Sequence, residues 1–160
     1  MNIIATFDKI EELIADLKEK SKKIAFTNGC FDILHRGHVE YLEKAKEKAD
    51  ILVLGLNSDA SVRRLKGDKR PYVSENDRAF ILSRLEAVDI VCIFSEDTPI
   101  NLLYKVKPDY LIKGGDYQLD QIVGREFVES YGGKVVTIPV ISGKSTTNLV
   151  ERIKTSRNYD

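Results

Sequence analysis

The sequence predicts one α/β domain: a Rossmann-like, doubly wound, five-stranded parallel sheet with helices on both faces. Short apolar runs alternate with helical patterns along the chain, which is typical of sheets covered by helices. Those runs are continuously apolar rather than alternating, as in strands buried on both faces. A length of 160 residues fits about one domain. We therefore assign residues 1–160 to a single domain, with a helical segment over 1–23 and a polar tail over 154–160.

A helix is predicted near the amino terminus, before the first strand. Asp8 and Glu11 have the spacing of a capping box at its start. Its apolar positions follow the i, i+3, i+4, i+7 rule. They are Ile10, Leu13, Ile14 and Leu17.

Five apolar runs are predicted as strands, and the second should be central because it is apolar throughout. They are Ile24–Thr27, Ile51–Leu56, Ile90–Phe94, Tyr110–Ile112 and Val135–Val140. Helical patterns follow each of them, the last through Leu149 and Ile153. Capping side chains mark several helix starts. They are those of Asn57-Ser58-Asp59, Ser74 with Asp77, and Thr98 before Pro99.

Composition excludes several classes of function. Lys plus Arg and Asp plus Glu each number 25, so no net charge attracts nucleic acid. The longest apolar runs fall far short of the ~18 residues of a membrane span. Cys30 and Cys92 lack partners at metal-ligand spacing, and we interpret both as packing residues. A soluble protein of the reducing cytoplasm, with no nucleic-acid or membrane partner, is the expectation.

The loop after the first strand carries the only two histidines of the chain, His35 and His38. They lie near a predicted helix N-terminus, where free N–H groups attract phosphate, and Gly37 lets backbone approach a ligand. The two common glycine-rich phosphate motifs do not follow this strand. A metal site or two solvated capping residues are the alternatives, although a zinc site needs more ligands than this spacing supplies.

The segments Gly29-Cys30-Phe31-Asp32 and His35-Arg36-Gly37-His38 together resemble the signature of the H-x-G-H nucleotidyltransferase superfamily, which is cytidylyltransferase-like. The resemblance implies a Rossmann-like sheet. It also implies that His35 and His38 contact a nucleoside triphosphate and stabilise the transition state.

Residues 63–71 form a basic cluster beyond the second predicted strand. Such a cluster is usually a solvated loop. Near a phosphate site, Lys66 and Arg70 are candidate clamps on a phosphorylated substrate, whereas Arg63 and Arg64 are interpreted as surface charges.

Two further loops end predicted strands. Lys113-Gly114-Gly115-Asp116-Tyr117 follows the fourth, where Lys113 and Asp116 could meet phosphate, hydroxyl or metal; alone it would be an ordinary turn. After the fifth strand, residues 142–148 place hydroxyl groups at another helix start, which predicts either an N-cap or a second triphosphate contact.

Taken together, these motifs resemble the sugar 1-phosphate adenylyltransferase branch of the superfamily, from about Ile24 to Ile153. That branch implies transfer of AMP from ATP to D-glycero-β-D-manno-heptose 1-phosphate, giving ADP-heptose for lipopolysaccharide, and pyrophosphate. His35, His38 and Lys113 are the implied catalytic residues, with Mg²⁺ held by substrate phosphates and no metal held by protein side chains. Implied ATP contacts are Asn28, Gly29, Phe31, Gly37, Gly114, Ser145, Thr146 and Thr147. Implied sugar-phosphate contacts are Asp32, Asn57, Asp59, Lys66, Arg70 and Asp116.

Several alternatives stay open at this point. A glycerol 3-phosphate cytidylyltransferase using CTP, a non-catalytic nucleotide-binding module and a purely structural domain are the rivals. Lys144 and Tyr72 depart from the residues common in the branch, which leaves the sugar less secure than the reaction. Many relatives carry a fused sugar kinase, so we expect a separate kinase here. Leu102 to Tyr104, taken as exposed, are a candidate homodimer surface.

Overall fold

The computed structural model describes residues 2–115, 118–139 and 146–156. A short 3-10 helix, Leu119–Gln121, precedes the sixth α-helix. The strands and α-helices follow in the order β1 (Ile3–Ala5), α1 (Ile10–Glu19), β2 (Ile24–Gly29), α2 (Arg36–Lys46), β3 (Ile51–Asn57), α3 (Asp59–Lys66), α4 (Glu75–Ser83), β4 (Ile90–Phe94), α5 (Ile100–Val106), β5 (Tyr110–Gly114), α6 (Arg125–Ser130), β6 (Lys134–Ile138) and α7 (Thr146–Ser156).

All of these strands pair in parallel in one sheet, in the order β1-β4-β3-β2-β5-β6. The predicted Rossmann-like fold is confirmed, and β3 is central and buried along its whole length. The predicted number of five strands was wrong. The sequence pattern missed β1, because three residues at the sheet edge are too few to show a strand period.

Helices cover both faces of the sheet, as predicted for a doubly wound fold. Phe26 and Val53 belong to the core that packs against α1, α5 and α6. Ala25, Leu52 and Leu54, which alternate with them, belong to the core against α2 and α4. Because successive strand residues point to opposite faces, each strand is apolar on both sides. None of the described helices is long and apolar enough to cross a bilayer.

Two of the four predicted helix caps are present. The Ser58 and Ser74 side chains accept hydrogen bonds from the N–H groups of Ser61 and Asp77, respectively. The capping box of Asp8 with Glu11 is absent, because α1 starts after Lys9 without a side-chain cap. The Thr6 carbonyl instead accepts from the N–H groups of both Lys9 and Ile10.

The predicted cap at Thr98 was also wrong. Pro99 itself is the N-cap of α5, and it has no side chain that can accept a hydrogen bond. The Pro99 carbonyl accepts from Leu103 N–H, so the first turn closes on backbone alone. The helix ends as predicted before Pro108, through a left-handed Lys107.

The candidate dimer surface was misjudged in part. Leu102 and Leu103 are buried, on the face of α5 that packs into the core, and only Tyr104 of that trio is exposed. The ring of Tyr104 packs edge-on against Phe127 of α6. A homodimer therefore stays a prediction without that apolar pair to support it.

The carboxyl-terminal elements differ slightly from the prediction. The last strand ends at Ile138, and the predicted end, Val140, lies outside the described residues. Helix α7 continues through Lys154 to Ser156, past the predicted start of the polar tail. Cys92 is buried, and burial raises the pKa of its thiol to about 12, as suits a packing residue.

Candidate active site

The site lies where the strand order reverses. Strand β2 pairs with β3 on one side and with β5 on the other, although four α-helices and two strands separate β2 from β5 along the chain. Ligands of doubly wound sheets bind outside the carboxyl ends of the strands at such a switch point. Here those ends carry Asn28 and Gly29 on β2, and Lys113 and Gly114 on β5.

Lys113 is a buried cation at this switch point. Its side-chain amine donates a hydrogen bond to Asn28 Oδ1, and the residue is 8% exposed. Desolvation lowers the pKa of Lys113 to about 8 from its usual 10.5. Lys113 is therefore largely protonated at pH 7, in a setting where an anion would relieve the cost of burying its charge.

Helix α2 begins at the same edge of the sheet. His35 is its N-cap, in an extended conformation, and no acidic residue lies in the first turn. Gly37, in that first turn, is buried, and because it has no side chain it leaves the backbone at the helix start open to close approach. The N-terminal N–H groups of an eleven-residue helix and its positive dipole end thus face the rim.

His35 and His38 form a stacked pair. Their ring centroids are 3.8 Å apart, with an angle of 21° between the planes. Desolvation, the neighbouring His35 and then Lys66 lower the pKa of His38 to about 4. Within the described residues, the buried Nδ1 of His38 has no hydrogen-bond partner. A neutral imidazole with an unsatisfied nitrogen is suited to a polar ligand atom.

Phe31 connects the end of β2 to this pair. Its ring lies 5.2 Å from that of His38, and its φ of 44° is in the left-handed region. The ring also covers Gly29, where an added Cβ would come within 2.9 Å of Phe31 Cε2. A glycine is therefore required beneath the ring. The left-handed backbone of Phe31 is a strain of the kind that is common at functional sites.

Residues 66–74, from the last residue of α3 to the start of α4, are called the basic loop. The buried carboxylate of Asp32 anchors this loop. It accepts from the N–H groups of Tyr72 and Val73 and from Arg70 Nε, at 2.8, 2.9 and 2.6 Å. Burial alone would raise the pKa of Asp32, but these three donors hold it below its usual value. Arg70 also lies over the Tyr72 ring. The structure thus brings Asp32 and Arg70 together as an ion pair beside the switch point.

Three other predicted sugar-phosphate contacts surround the start and end of α3. Buried Asn57 donates to Ser61 Oγ at 3.0 Å, and Asp59 pairs with the guanidinium of Arg78. Lys66, at the last turn of α3, is exposed. Arg63 and Arg64 are exposed on the same helix, in agreement with their interpretation as surface charges.

Arg78 of α4 is a site residue that the sequence analysis missed. It is 1% exposed, and its guanidinium donates to carbonyl groups of two loops and of the end of β3, all around the site. The sequence did hold a signal for it. Arg78 lies four residues before Leu82 and so on the same face of the predicted helix, and an arginine on an apolar helix face is rarely buried without a partner or a function.

Three of the remaining predicted residues belong to β5 and α7. Gly114 pairs with Ile138 in the sheet. Thr146 and Thr147 form the first turn of α7. Asp116 and Ser145 lie outside the described residues. In the described part of the chain, no group of three His, Cys, Asp or Glu side chains is arranged to hold a metal ion.

A parallel sheet with a buried lysine and a histidine pair at its switch point defines an α/β protein whose strand ends form a site suited to a phosphorylated ligand. Residues 26–157 match the family model described as cytidylyltransferase-like, and the chain belongs to that family. This confirms the resemblance predicted from the H-x-G-H segment, and with it a nucleotidyltransferase enzyme.

Two relatives cover nearly all of this chain. It is 58% identical over 146 residues to the bifunctional protein HldE of Pelobacter propionicus, and 54% identical over 150 residues to that of Geobacter sulfurreducens. These matches cover 91% and 94% of the chain. They cover 30% and 31% of the relatives, so the chain spans about a third of their length.

Solved structures give the same fold. A lipopolysaccharide core biosynthesis protein from Thermoplasma volcanium superposes with a TM-score of 0.63 at 29% identity, covering 77% of this chain and 99% of that one. Pantothenate synthetase from Thermus thermophilus has a TM-score of 0.68 at 17% identity, covering 99% and 70%, respectively. The second comparison supports the fold alone.

Proposed function

We propose that the chain transfers AMP from ATP to D-glycero-β-D-manno-heptose 1-phosphate, giving ADP-heptose and pyrophosphate. The observation that carries the proposal is the stacked His35–His38 pair at the start of α2, at the same sheet edge as buried Lys113. That arrangement collects donors and positive charge where a triphosphate would lie.

The proposed reaction is a single displacement at phosphorus. An oxygen of the sugar phosphate attacks the α-phosphorus of ATP, and the bond from that phosphorus to the α,β-bridging oxygen breaks. The electron pair leaves with pyrophosphate. A phosphate monoester with a second pKa of about 6 is mostly a dianion at neutral pH, so neither a protein nucleophile nor a general base is required.

The chain's own part is then to bind two anions in line and to neutralise the charge that develops between them. We assign His35, His38 and Lys113 to the α-phosphate and the leaving pyrophosphate. Asn28 orients Lys113 through its side-chain oxygen. Gly29 and Gly114 lie at the same strand ends, and the remaining predicted ATP contacts are proposed to complete this subsite. Mg²⁺ would be carried by the triphosphate, as is usual for this ion.

The acceptor side is proposed around the basic loop. Lys66 and Arg70 would bind the sugar phosphate, with Arg70 held in place by Asp32. Asn57, Asp59 and Asp116 are proposed to face the sugar. The name of the T. volcanium neighbour, a lipopolysaccharide core biosynthesis protein, supports an activated heptose as the product. The proposed setting is the cytoplasm, because both cysteines are free thiols. A homodimer is proposed as the assembly.

Pyrophosphate release over a panel of substrates tests the proposal. ATP, CTP, GTP and UTP are each combined with heptose 1-phosphate of either anomer and with glycerol 3-phosphate. We expect turnover with ATP and the β-anomer. Turnover with CTP and glycerol 3-phosphate would establish the rival acceptor. An ATP-dependent rise in melting temperature without turnover would establish a binding module. A melting temperature that ATP leaves unchanged, again without turnover, would establish a structural domain.

A further inference from the structure

Arg78 is the largest of the fully buried side chains in the described chain. Burying a guanidinium costs free energy unless its charge and its N–H groups are matched, so such a residue requires an explanation. It lies in the first turns of α4, a helix that supplies none of the predicted site residues.

The contacts of Arg78 converge on the rim of the site. Its Nη1 donates to the carbonyl oxygens of Cys30, at 2.6 Å, and Asn57, at 2.9 Å. Its Nε donates to the Val73 carbonyl at 2.9 Å, and its Nη2 to Asp59 Oδ1 at 2.7 Å. One planar group therefore joins the loop after β2, the end of β3 with the start of α3, and the segment just before α4.

Two of the joined segments carry different parts of the site. Cys30 immediately precedes Phe31, whose ring contacts His38. Val73 donates its N–H to Asp32, the partner of Arg70. The nucleotide side and the acceptor side are thus fixed to the same guanidinium, one through Cys30 and the other through Val73.

We propose that Arg78 is a positioning residue that sets the histidine pair relative to the acceptor loop. The kinetic part of this inference rests on the proposed function, whereas the placement of the histidines does not. Alignment of two substrates depends steeply on such placement, since a misplacement of about 1 Å can cost about 100-fold in rate.

Arg78→Lys is the informative substitution. Lysine keeps the positive charge and a similar length, but it lacks the planar set of donors that reaches several carbonyl groups at once. Arg78→Gln, which keeps two donors without the charge, replaces it if the lysine variant does not fold. Asp89→Asn is the matched control: Asp89 is also buried and accepts from Leu52 N–H and Lys46, but it lies before β4, at the other end of the sheet.

The two histidines of the chain make the test direct, because the imidazole proton resonances of the full chain come only from His35 and His38. We expect Arg78→Lys to displace both resonances and Asp89→Asn to leave them in place. In the pyrophosphate assay, kcat of Arg78→Lys should fall about 100-fold, while the Kd for ATP stays within about twofold.

The inference would be overturned if the imidazole resonances of Arg78→Lys coincided with those of the wild type, or if Asp89→Asn displaced them by the same amount. So would an unchanged kcat in an active enzyme. If the wild type releases no pyrophosphate with any substrate pair, the proposed function fails, and the resonances alone still decide whether Arg78 places the histidines.

Discussion

The amine of Lys113, at the carboxyl end of β5, donates a hydrogen bond to Asn28 Oδ1 at the corresponding end of β2. These two strands are neighbours in the sheet. The strand order reverses between them, because β3, β4 and β1 lie on one side of β2 and β5 and β6 lie on the other. A buried lysine amine is thereby held across the switch point by a neutral acceptor, at the strand ends where a ligand of a doubly wound sheet binds.

The protonation of Lys113 should limit ATP binding at alkaline pH. Its pKa of about 8 means that the free protein loses this charge as the pH rises through 8, so kcat/KM for ATP should fall there. Lys113→Gln should lower kcat/KM at pH 7 and remove this alkaline decrease. The measurement is the pH profile of pyrophosphate release, with exposed Lys134→Gln as the control.

The same group predicts a change in stability of the opposite sign. Because the pKa is about 8 in the folded state and 10.5 ordinarily, the unfolded chain binds more protons between these values. The contribution of Lys113 to the free energy of unfolding should therefore increase as the pH rises from 8 to 10.5, which stabilises the folded state and can be measured by urea unfolding. The assignment would be contradicted if Lys113→Gln showed the same gain as the wild type.

His38→Ala should fold normally and lose roughly two to three powers of ten in kcat. The imidazole is assigned to charge that develops in the transition state, and removing one such donor commonly has this effect. Single-turnover assays and thermal melting check the two parts separately. Arg36→Ala is the control, because Arg36 is exposed on the same helix and pairs only with Glu40 among the contacts described for it. Retained activity in His38→Ala would refute the assignment.

Substitutions in the basic loop should act on the acceptor. Lys66→Ala should chiefly raise KM for the sugar phosphate without changing the melting temperature, because Lys66 is exposed. Arg70→Ala should raise the same KM and also destabilise the fold by about 1–3 kcal/mol, since Asp32 would keep only its two backbone donors.

Exposed Arg63→Ala is the control for both variants. Initial rates at varied acceptor and at varied ATP separate the two subsites. An unchanged acceptor KM together with lost ATP binding would mean that the proposed subsites are exchanged.

Gly29→Ala should lower both stability and ATP affinity. The new Cβ would lie 2.9 Å from Phe31 Cε2, so the ring that contacts His38 must move, and overpacking of this kind costs about 1–3 kcal/mol. Phe31→Leu added to Gly29→Ala should recover part of the lost melting temperature. A double variant no more stable than Gly29→Ala would show that the ring is not the obstacle.

Much of the fold could be predicted from local pattern. The boundaries of the Ile90–Phe94 strand and the caps at Ser58 and Ser74 agree with the structure, because apolar runs and capping side chains act within a few residues. The absent capping box near Asp8 shows the limit of such patterns. There the Thr6 carbonyl bonds to the first N–H groups of α1, and no side-chain pattern records a backbone acceptor.

The sequence by itself determined the order of strands and helices from α1 onward and the presence of a histidine pair at a helix start, because these depend on neighbours in the chain. Only the tertiary structure placed Lys113 against Asn28, and Arg78 against Cys30 and Asn57, since those contacts join residues 85, 48 and 21 positions apart. Folding also buried Leu102 and Leu103, because the face that a short helix turns to the core depends on the elements packed around it. A buried charge is stabilised by partners that are distant in sequence, and only the assembled fold determines which they are.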